Sequence, residues 1–133
     1  MSLHAASRSV AGTLRQKLLV AGKHRLATDE PESLGGDDTG PAPHELLPAA
    51  LASCIATTLL LYARTKEWPL EEVDVDVDYD HKATPRRFAI DVRLGGPLDA
   101  AQLERLEKVA ESCPLRRALE TGFVFEERLV AAA

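Results

Sequence analysis

The stretch HELLPAALASCIATTLLLYARTKEWPL, residues 44–70, decides the predicted fold. Residues 46–63 within it are 18 consecutive positions without a charged side chain, a length at the threshold for a membrane-spanning helix. Ala, Ser, Thr and Cys make up much of the run, and such small residues favour close contact between helices. A helix that is apolar on every side is normally a core helix. The sequence therefore predicts a buried central helix from about Pro48 to Lys66, in preference to a membrane span.

The start of this helix carries its own signals. Pro43 suits the first helical position, where its missing N–H is not needed. Glu45 follows in the first turn, where a carboxylate complements the positive end of the helix dipole. Pro48 would remove a backbone hydrogen bond from a helix interior. A bent or restarted first turn is therefore expected.

The flanking segments predict an α+β fold. Residues 14–27 predict a β-hairpin around Ala21-Gly22-Lys23, and the Gly-, Pro- and Asp-rich residues 29–43 predict a loop. Three valines and Tyr79 alternate with aspartates in residues 73–80, which predicts a strand with one buried and one solvated face. The remaining predicted elements are a partner strand over residues 85–94, a helix capped by Asp99, a short helix over residues 114–119 and a last strand over residues 123–130.

Length and composition indicate a single soluble domain over residues 1–133. The net charge of −5 argues against a protein that binds nucleic-acid phosphates. The N-terminal residues MSLHAASRSV lack the apolar core of a secretory signal, so a cytoplasmic location is expected. In that compartment the two cysteines are expected to be thiols whose disulfide is transient.

The two cysteines are the strongest candidates for chemistry. Cys113 precedes Pro114 at a predicted helix start, where unpaired backbone N–H groups stabilise a thiolate. Local electrostatics alone therefore favours Cys113 as a nucleophile, with the alternative that it only caps the helix. Cys54, on the apolar helix, is by itself typical of an inert buried thiol. Its reactivity would require a nearby cation, for which Arg15 and Arg25 on the hairpin are the candidates.

Other kinds of site find less support in the sequence. A hydrolase pair of Cys54 and His44 is conceivable, but no Asp or Asn that would orient the histidine can be named. The four histidines and two cysteines have none of the spacings of a zinc site. The GGDDTG segment lacks the pattern of a phosphate-binding loop. No metal and no cofactor are therefore expected.

Residues 29–70, followed by CPLRRAL at 113–119, resemble the OsmC/Ohr family of cysteine-dependent hydroperoxide reductases. The resemblance extends from about Lys23 onward. It rests on the order of an LGG loop, a proline, a glutamate at the helix start, a small-residue helix carrying a cysteine, and a late Cys-Pro. In the best-studied members the glutamate stands one position earlier, where this chain has His44. Glu45 instead matches a divergent branch with the pattern Pro-x-Glu-Leu.

The resemblance implies an OsmC-like fold, in which a long central helix packs on antiparallel sheets within an intertwined homodimer. It also implies a thiol-dependent peroxidase that reduces organic hydroperoxides. Cys54 would be the peroxidatic cysteine and Cys113 would resolve its sulfenic acid as a disulfide. Arg15, with Arg25 as second choice, would stabilise the Cys54 thiolate, and Glu45 would hold that arginine. An external dithiol would reduce the disulfide.

One alternative belongs to a different functional class. The chain could be a non-enzymatic dimeric protein that binds an apolar small molecule in the groove between its subunits. In that case the two cysteines would be buried and would take no part in chemistry.

Overall fold

The computed structural model describes residues 2–132. The chain divides into two compact units, an N-terminal unit of residues 1–49 and a C-terminal unit of residues 50–133. The fold is α+β, with one long helix and antiparallel sheets, as predicted. The single domain over residues 1–133 remains a prediction.

The N-terminal unit contains a three-stranded antiparallel sheet. Its strands are β1 (Ala5–Ser9), β2 (Gln16–Val20) and β3 (His24–Thr28), in the order β1-β2-β3. The predicted hairpin is confirmed as β2 and β3. Its turn places Ala21 and Gly22 at φ values of 56° and 72°, as expected of a tight turn that matches the twist of its strands. Strand β1 was not predicted, because its sequence AASRS has low strand propensity.

The loop of residues 29–43 is organised around the buried carboxylate of Asp29, which is 1% exposed. Asp29 Oδ1 accepts a hydrogen bond from the Glu30 backbone N–H at 2.8 Å. Asp29 Oδ2 accepts from the Asp37 N–H at 3.3 Å, the Thr39 N–H at 3.1 Å and the Thr39 hydroxyl at 2.7 Å. Gly36 lies so close to the Glu30 backbone that a Cβ atom would collide with its carbonyl. One carboxylate and one glycine therefore shape the loop before the long helix.

Helix α1 (Leu46–Lys66) follows a 3-10 turn at Pro43–Glu45. The change from 3-10 to α geometry comes at Leu46, so the regular helix starts two residues before the predicted Pro48 and shows no restart at that proline. Pro48 lies in the first turn of α1, where backbone N–H groups have no partner within the helix, so the helix continues through it. The helix ends at Lys66, and Glu67 follows with a φ of 58°.

Helix α1 is buried along one stripe. Leu51, Ile55, Leu59 and Ala63, one residue in four, are at most 2% exposed. Elsewhere on the helix, Leu61 is 54% exposed. By length and hydropathy alone, residues 43–66 could cross a membrane. Within the C-terminal unit, however, the buried stripe is the packing expected of a core helix.

The rest of the C-terminal unit packs against this stripe. Strands β4 (Glu72–Asp80) and β5 (Arg87–Gly95) form an antiparallel hairpin whose apolar side chains face the core, while helix α2 (Ala100–Ala110) supplies the buried Leu106 and Val109. Asp99 caps α2 as predicted, accepting a hydrogen bond from the Gln102 N–H at 2.8 Å. Helix α3 (Pro114–Thr121) follows directly.

On its other face the hairpin β4–β5 carries charged side chains. Asp76 lies opposite Asp91, and an Arg93 guanidinium nitrogen contacts an Asp76 carboxylate oxygen at 2.7 Å. Both partners of this ion pair are mostly exposed, so its contribution to stability is small. The aspartates of β4 therefore lie on the solvent-exposed face of the hairpin, as the sequence predicts.

The predicted strand over residues 123–130 is wrong. This segment pairs with no strand of the described chain, and Val124, Phe125 and Leu129 are 93%, 87% and 91% exposed. An alternating pattern gives a segment strand propensity, but a strand exists only where its backbone finds a ladder partner. Within one copy of the chain that partner is missing from the described residues.

Asp29→Asn is expected to lower the midpoint of thermal unfolding by several degrees at pH 7, because an amide nitrogen would face N–H donors. Asp38→Asn is the matched control, since Asp38 is exposed in the same loop and its φ of 53° is one that asparagine tolerates. Equal unfolding midpoints for the two variants would contradict the role given to Asp29.

The same carboxylate predicts a pH dependence. Hydrogen bonds from the Thr39 hydroxyl and the Thr39, Glu30 and Asp37 N–H groups lower the pKa of Asp29 from its usual 3.8. Its stabilising effect is therefore fully present above pH 3.8 and is lost as the pH falls through the lower, folded-state pKa. The difference in stability between wild type and Asp29→Asn should shrink over that acid range, as measured by denaturant unfolding.

Candidate active site

The fold brings the two cysteines together. Cys54 lies on α1 beside the buried Ile55, and Cys113 lies between α2 and α3. Both are free thiols, 59 positions apart in the chain, and their Sγ atoms lie 2.9 Å apart, within hydrogen-bonding distance. Side chains at this distance need only a small adjustment to form a disulfide, whose sulfur–sulfur bond is about 2.05 Å long.

Local hydrogen bonds order the backbone around each cysteine. The Ser112 hydroxyl donates to the Val109 carbonyl at 2.6 Å, which closes the end of α2 just before Cys113. Pro114 then starts α3, with Cys113 as its N-cap residue, as the sequence predicts. On α1, the Thr58 hydroxyl donates to the Cys54 carbonyl at 2.8 Å. This bond, from a threonine to the carbonyl four residues earlier, is common in helices, and Thr65 makes the same bond to the Leu61 carbonyl.

The two thiols differ in burial. Cys113 is 0% exposed, whereas Cys54 is half-buried. Burial raises the pKa of Cys113 most, and the hydrogen bond to Cys54 raises it further. The backbone N–H groups of Arg116 and Leu115 lower the pKa, but their effect is the smaller one. The N-terminal N–H groups of α3 therefore act in the direction predicted from the sequence, and burial outweighs them.

One groove is lined by Ser112 and Pro114, the neighbours of Cys113 in the chain, and by Thr58, one helical turn after Cys54, but by neither cysteine itself. It has a volume of about 390 Å³ and runs along α1, and we call it the Tyr62 groove. The hydroxyl of Tyr62, one of its lining residues, accepts a hydrogen bond from the Arg105 guanidinium at 2.9 Å. Most of the lining is apolar, so the groove suits the hydrocarbon part of a ligand. Its lining residues are Thr58, Leu61, Tyr62, Thr65, Lys66, Val109, Ser112 and Pro114.

A second groove, of about 490 Å³, lies on another side of the same unit. Leu51 contributes to its lining, together with an ion pair between Arg116 and Glu120 at 3.1 Å. Like the Tyr62 groove, this groove does not include either cysteine among its lining residues. Its remaining lining residues are Arg86, Phe88, Ile90 and Leu119.

The other predicted site residues lie in the N-terminal unit. Arg15, immediately before β2, and Arg25, on β3, line one cavity of about 420 Å³ together with Lys17. Glu45 Oε1 accepts a hydrogen bond from the Ala42 N–H at 2.8 Å, which closes the 3-10 turn before α1. The actions predicted for Arg15, Arg25 and Glu45 at the Cys54 thiolate remain predictions.

Known proteins resemble this chain in sequence and in fold. The family model of the OsmC-like protein matches residues 35–128. A proposed osmotic stress induced and detoxification response protein from Psychrobacter arcticus 273-4 is 26% identical, with a TM-score of 0.69 over 84% of this chain and 85% of that one. An OsmC-like hydroperoxide resistance protein from Jannaschia sp. CCS1 is 25% identical, with a TM-score of 0.55 over 96% of this chain and 90% of that one.

A third structure extends the likeness in fold. The OsmC like protein from Mycoplasma pneumoniae is 16% identical and has a TM-score of 0.73, over 90% of this chain and 88% of that one. At that identity the likeness concerns the fold alone. No protein among the curated ones matches the chain.

Proposed function

The chain belongs to the OsmC-like protein family, and we propose that it is a thiol-dependent peroxidase that reduces organic hydroperoxides with Cys54 and Cys113. The observation that carries the proposal is the 2.9 Å separation of the two sulfurs. Two free thiols at that distance, one half-buried and one fully buried, suit a nucleophile and its resolving partner. The hydroperoxide resistance protein from Jannaschia sp. CCS1, at 25% identity, supports the choice of substrate class.

The proposed reaction has two chemical steps before the protein is reset. The Cys54 thiolate attacks the terminal oxygen of the hydroperoxide, so that an S–O bond forms, the O–O bond breaks and an alkoxide leaves and takes up a proton as the alcohol. Cys113 then attacks Cys54 Sγ of the sulfenic acid. The S–S bond forms, the S–O bond breaks, and water leaves with the Cys113 proton.

A dithiol completes the cycle. Its thiolate attacks one sulfur of the disulfide, and its second thiol releases the protein from the mixed disulfide, so that two electrons and two protons pass to the cysteines. The half-buried Cys54 is the more accessible point of attack, because Cys113 is 0% exposed.

Arg15 and Glu45 complete the proposed site. In this proposal the Arg15 guanidinium stabilises the Cys54 thiolate and orients the peroxide, and Glu45 holds the guanidinium. The preference for an organic peroxide is supported by the apolar lining of the Tyr62 groove, which passes Thr58, one turn from Cys54. We place the reaction in the cytoplasm, where dithiol reductants keep such a pair cycling.

A homodimer is part of the same proposal. The face of α1 away from its buried stripe carries small and apolar residues, among them Ser53, Thr57 and Leu60, all exposed. The exposed apolar side chains of residues 123–130 also support a dimer. These side chains and the unpaired backbone of the segment suit contact with a second copy of the chain.

The peroxidase is tested by adding one equivalent of cumene hydroperoxide to the reduced protein and counting thiols in denaturant, together with the intact mass. Wild type should lose both thiols and the mass of two hydrogen atoms, because the oxidised pair becomes a disulfide. Cys54→Ser should consume no peroxide. Cys113→Ser should turn over once and then stall until a thiol is added.

Two surviving thiols in wild type would overturn the peroxidase. The alternative function, a non-enzymatic dimer that binds an apolar small molecule between its subunits, would then be favoured. If Cys113→Ser reduced peroxide through many turnovers with the usual dithiol, Cys113 would not be the resolving cysteine, and the role proposed for Cys54 would be unaffected.

The choice of arginine is tested by Arg15→Ala and Arg25→Ala, with Arg8→Ala on β1 as the control of equal charge change. Loss of a charge-assisted hydrogen bond to the thiolate should slow peroxide consumption by Arg15→Ala about tenfold. If only Arg25→Ala consumes peroxide more slowly than wild type, Arg25 is the arginine that stabilises the Cys54 thiolate. Wild-type rates for both variants would refute an activating arginine from the hairpin.

The dimer is tested by sedimentation equilibrium, where wild type should have twice the chain mass of 14.4 kDa. Leu60→Glu should shift the equilibrium toward monomer, because it buries a charge between the two copies. Leu103→Glu on α2 is the matched control, since Leu60 and Leu103 are 40% and 43% exposed. A monomeric wild type would contradict the proposal.

A further inference from the structure

The charges of the chain are divided unevenly along its sequence. All 21 Asp and Glu residues lie after residue 28, whereas Arg8, Arg15, Lys17, Lys23 and Arg25 lie before it. A protein with a net charge of −5 therefore contains a segment whose charged side chains are all cationic, apart from its histidines. That segment forms the three strands of the N-terminal sheet.

The strand register places several of these cations on one face of the sheet. Arg8 on β1 lies directly opposite Lys17 on β2, and Lys17 lies opposite Ala27 on β3. Directly opposite residues share a face, and Arg25, two positions before Ala27, shares it too. Arg15 lines the same cavity of about 420 Å³ as Lys17 and Arg25. We call Arg8, Arg15, Lys17 and Arg25 the basic cluster.

The basic cluster has no anionic partner in residues 2–132. No carboxylate there lies at ion-pair distance from any of its four side chains, since both ion pairs of the described chain join residues of the C-terminal unit. Like charges directly opposite each other on neighbouring strands destabilise a sheet, as Arg8 and Lys17 do here. The sheet therefore carries a repulsion that a bound anion would relieve.

We propose that the N-terminal unit binds a small organic phosphate, whose phosphate group lies against Arg15, Lys17 and Arg25. Guanidinium and ammonium groups form strong charge-assisted hydrogen bonds to phosphate oxygens, and a cleft lined by one sign of charge concentrates the opposite ion. A cavity of about 420 Å³ has room for an organic group beside the phosphate, and Leu18, Leu26 and Ala27 complete its lining. This site uses neither cysteine and does not rest on the proposed peroxidase.

The proposal is tested by isothermal titration calorimetry of the full chain with phenyl phosphate at low salt and about pH 8, where the phosphate is a dianion. Wild type should give saturable heat at one site. Lys17→Gln and Arg25→Gln should each weaken binding about tenfold, because a charge-assisted hydrogen bond is lost. Lys108→Gln should bind as wild type does, since Lys108 is exposed on α2 and its substitution removes the same charge elsewhere. The proposed peroxidase also uses Arg15, so that residue is not substituted.

Two simpler probes separate an organic phosphate from a bare ion. Inorganic phosphate should bind more weakly than phenyl phosphate, because it lacks the group that fills the cavity. Phenol should not bind, because it lacks the charge. Equal affinity for the two phosphates would show an adventitious ion only. Absence of heat from wild type, or equal weakening in Lys108→Gln, would also overturn the proposal.

Phosphate groups also occur on lipid surfaces and in nucleic acids. Cosedimentation with phosphatidylglycerol vesicles and retention of a DNA duplex are therefore measured with the same protein at the same salt. Neither should bind it. Binding to either would assign the basic cluster to a lipid surface or to nucleic acid and would overturn the small-molecule site.

A measurement without any ligand tests the repulsion within the basic cluster. Lys17→Gln removes one charge of the pair with Arg8, so its midpoint of thermal unfolding at low salt should be at least that of wild type. Any gain should vanish at high salt, which screens exposed charges. A lower midpoint would show that Lys17 serves the stability of the sheet, and would overturn the proposal.

Discussion

The packing of one stripe of α1 is the constraint on which the C-terminal unit depends. Leu51, Ile55 and Leu59 are buried against the apolar face of the β4–β5 hairpin and against α2. Because α2 is held on that stripe, the turn after it brings Cys113 to Cys54, 59 positions earlier in the chain. A core substitution that moved α2 by about an ångström would therefore change the distance between the two sulfurs.

Two opposing effects meet at Cys113. The first turn of α3 offers backbone N–H groups that favour a thiolate, while full burial favours the neutral thiol. Burial has the larger effect in the reduced protein, so the pKa of Cys113 is raised. Two side chains of identical composition are thereby given different surroundings. A half-buried cysteine and a fully buried one can therefore take different roles without any cofactor to distinguish them.

Local pattern predicted most of the secondary structure, and what it missed depends on long-range contact. The alternation in residues 73–80 and the cap at Asp99 sufficed for a strand and a helix, because these signals are local. The pattern of residues 123–130 is equally regular, yet it lacks a pairing partner among the described residues of one chain. For Cys113 the sequence revealed the N-cap position but not the burial, which depends on residues far away in the chain. The closeness of the two cysteines likewise followed from no spacing rule.

The separation of the cysteines along the chain has a consequence for the resistance of the protein to unfolding. A disulfide between them would close a loop of about 60 residues, which restricts the unfolded chain by about 4 kcal/mol on the chain-entropy relation. The oxidised form would then be the harder one to denature or to digest with a protease, and the folded chain would in turn hold the disulfide against reduction. Each catalytic cycle would carry the protein between a more durable and a less durable form.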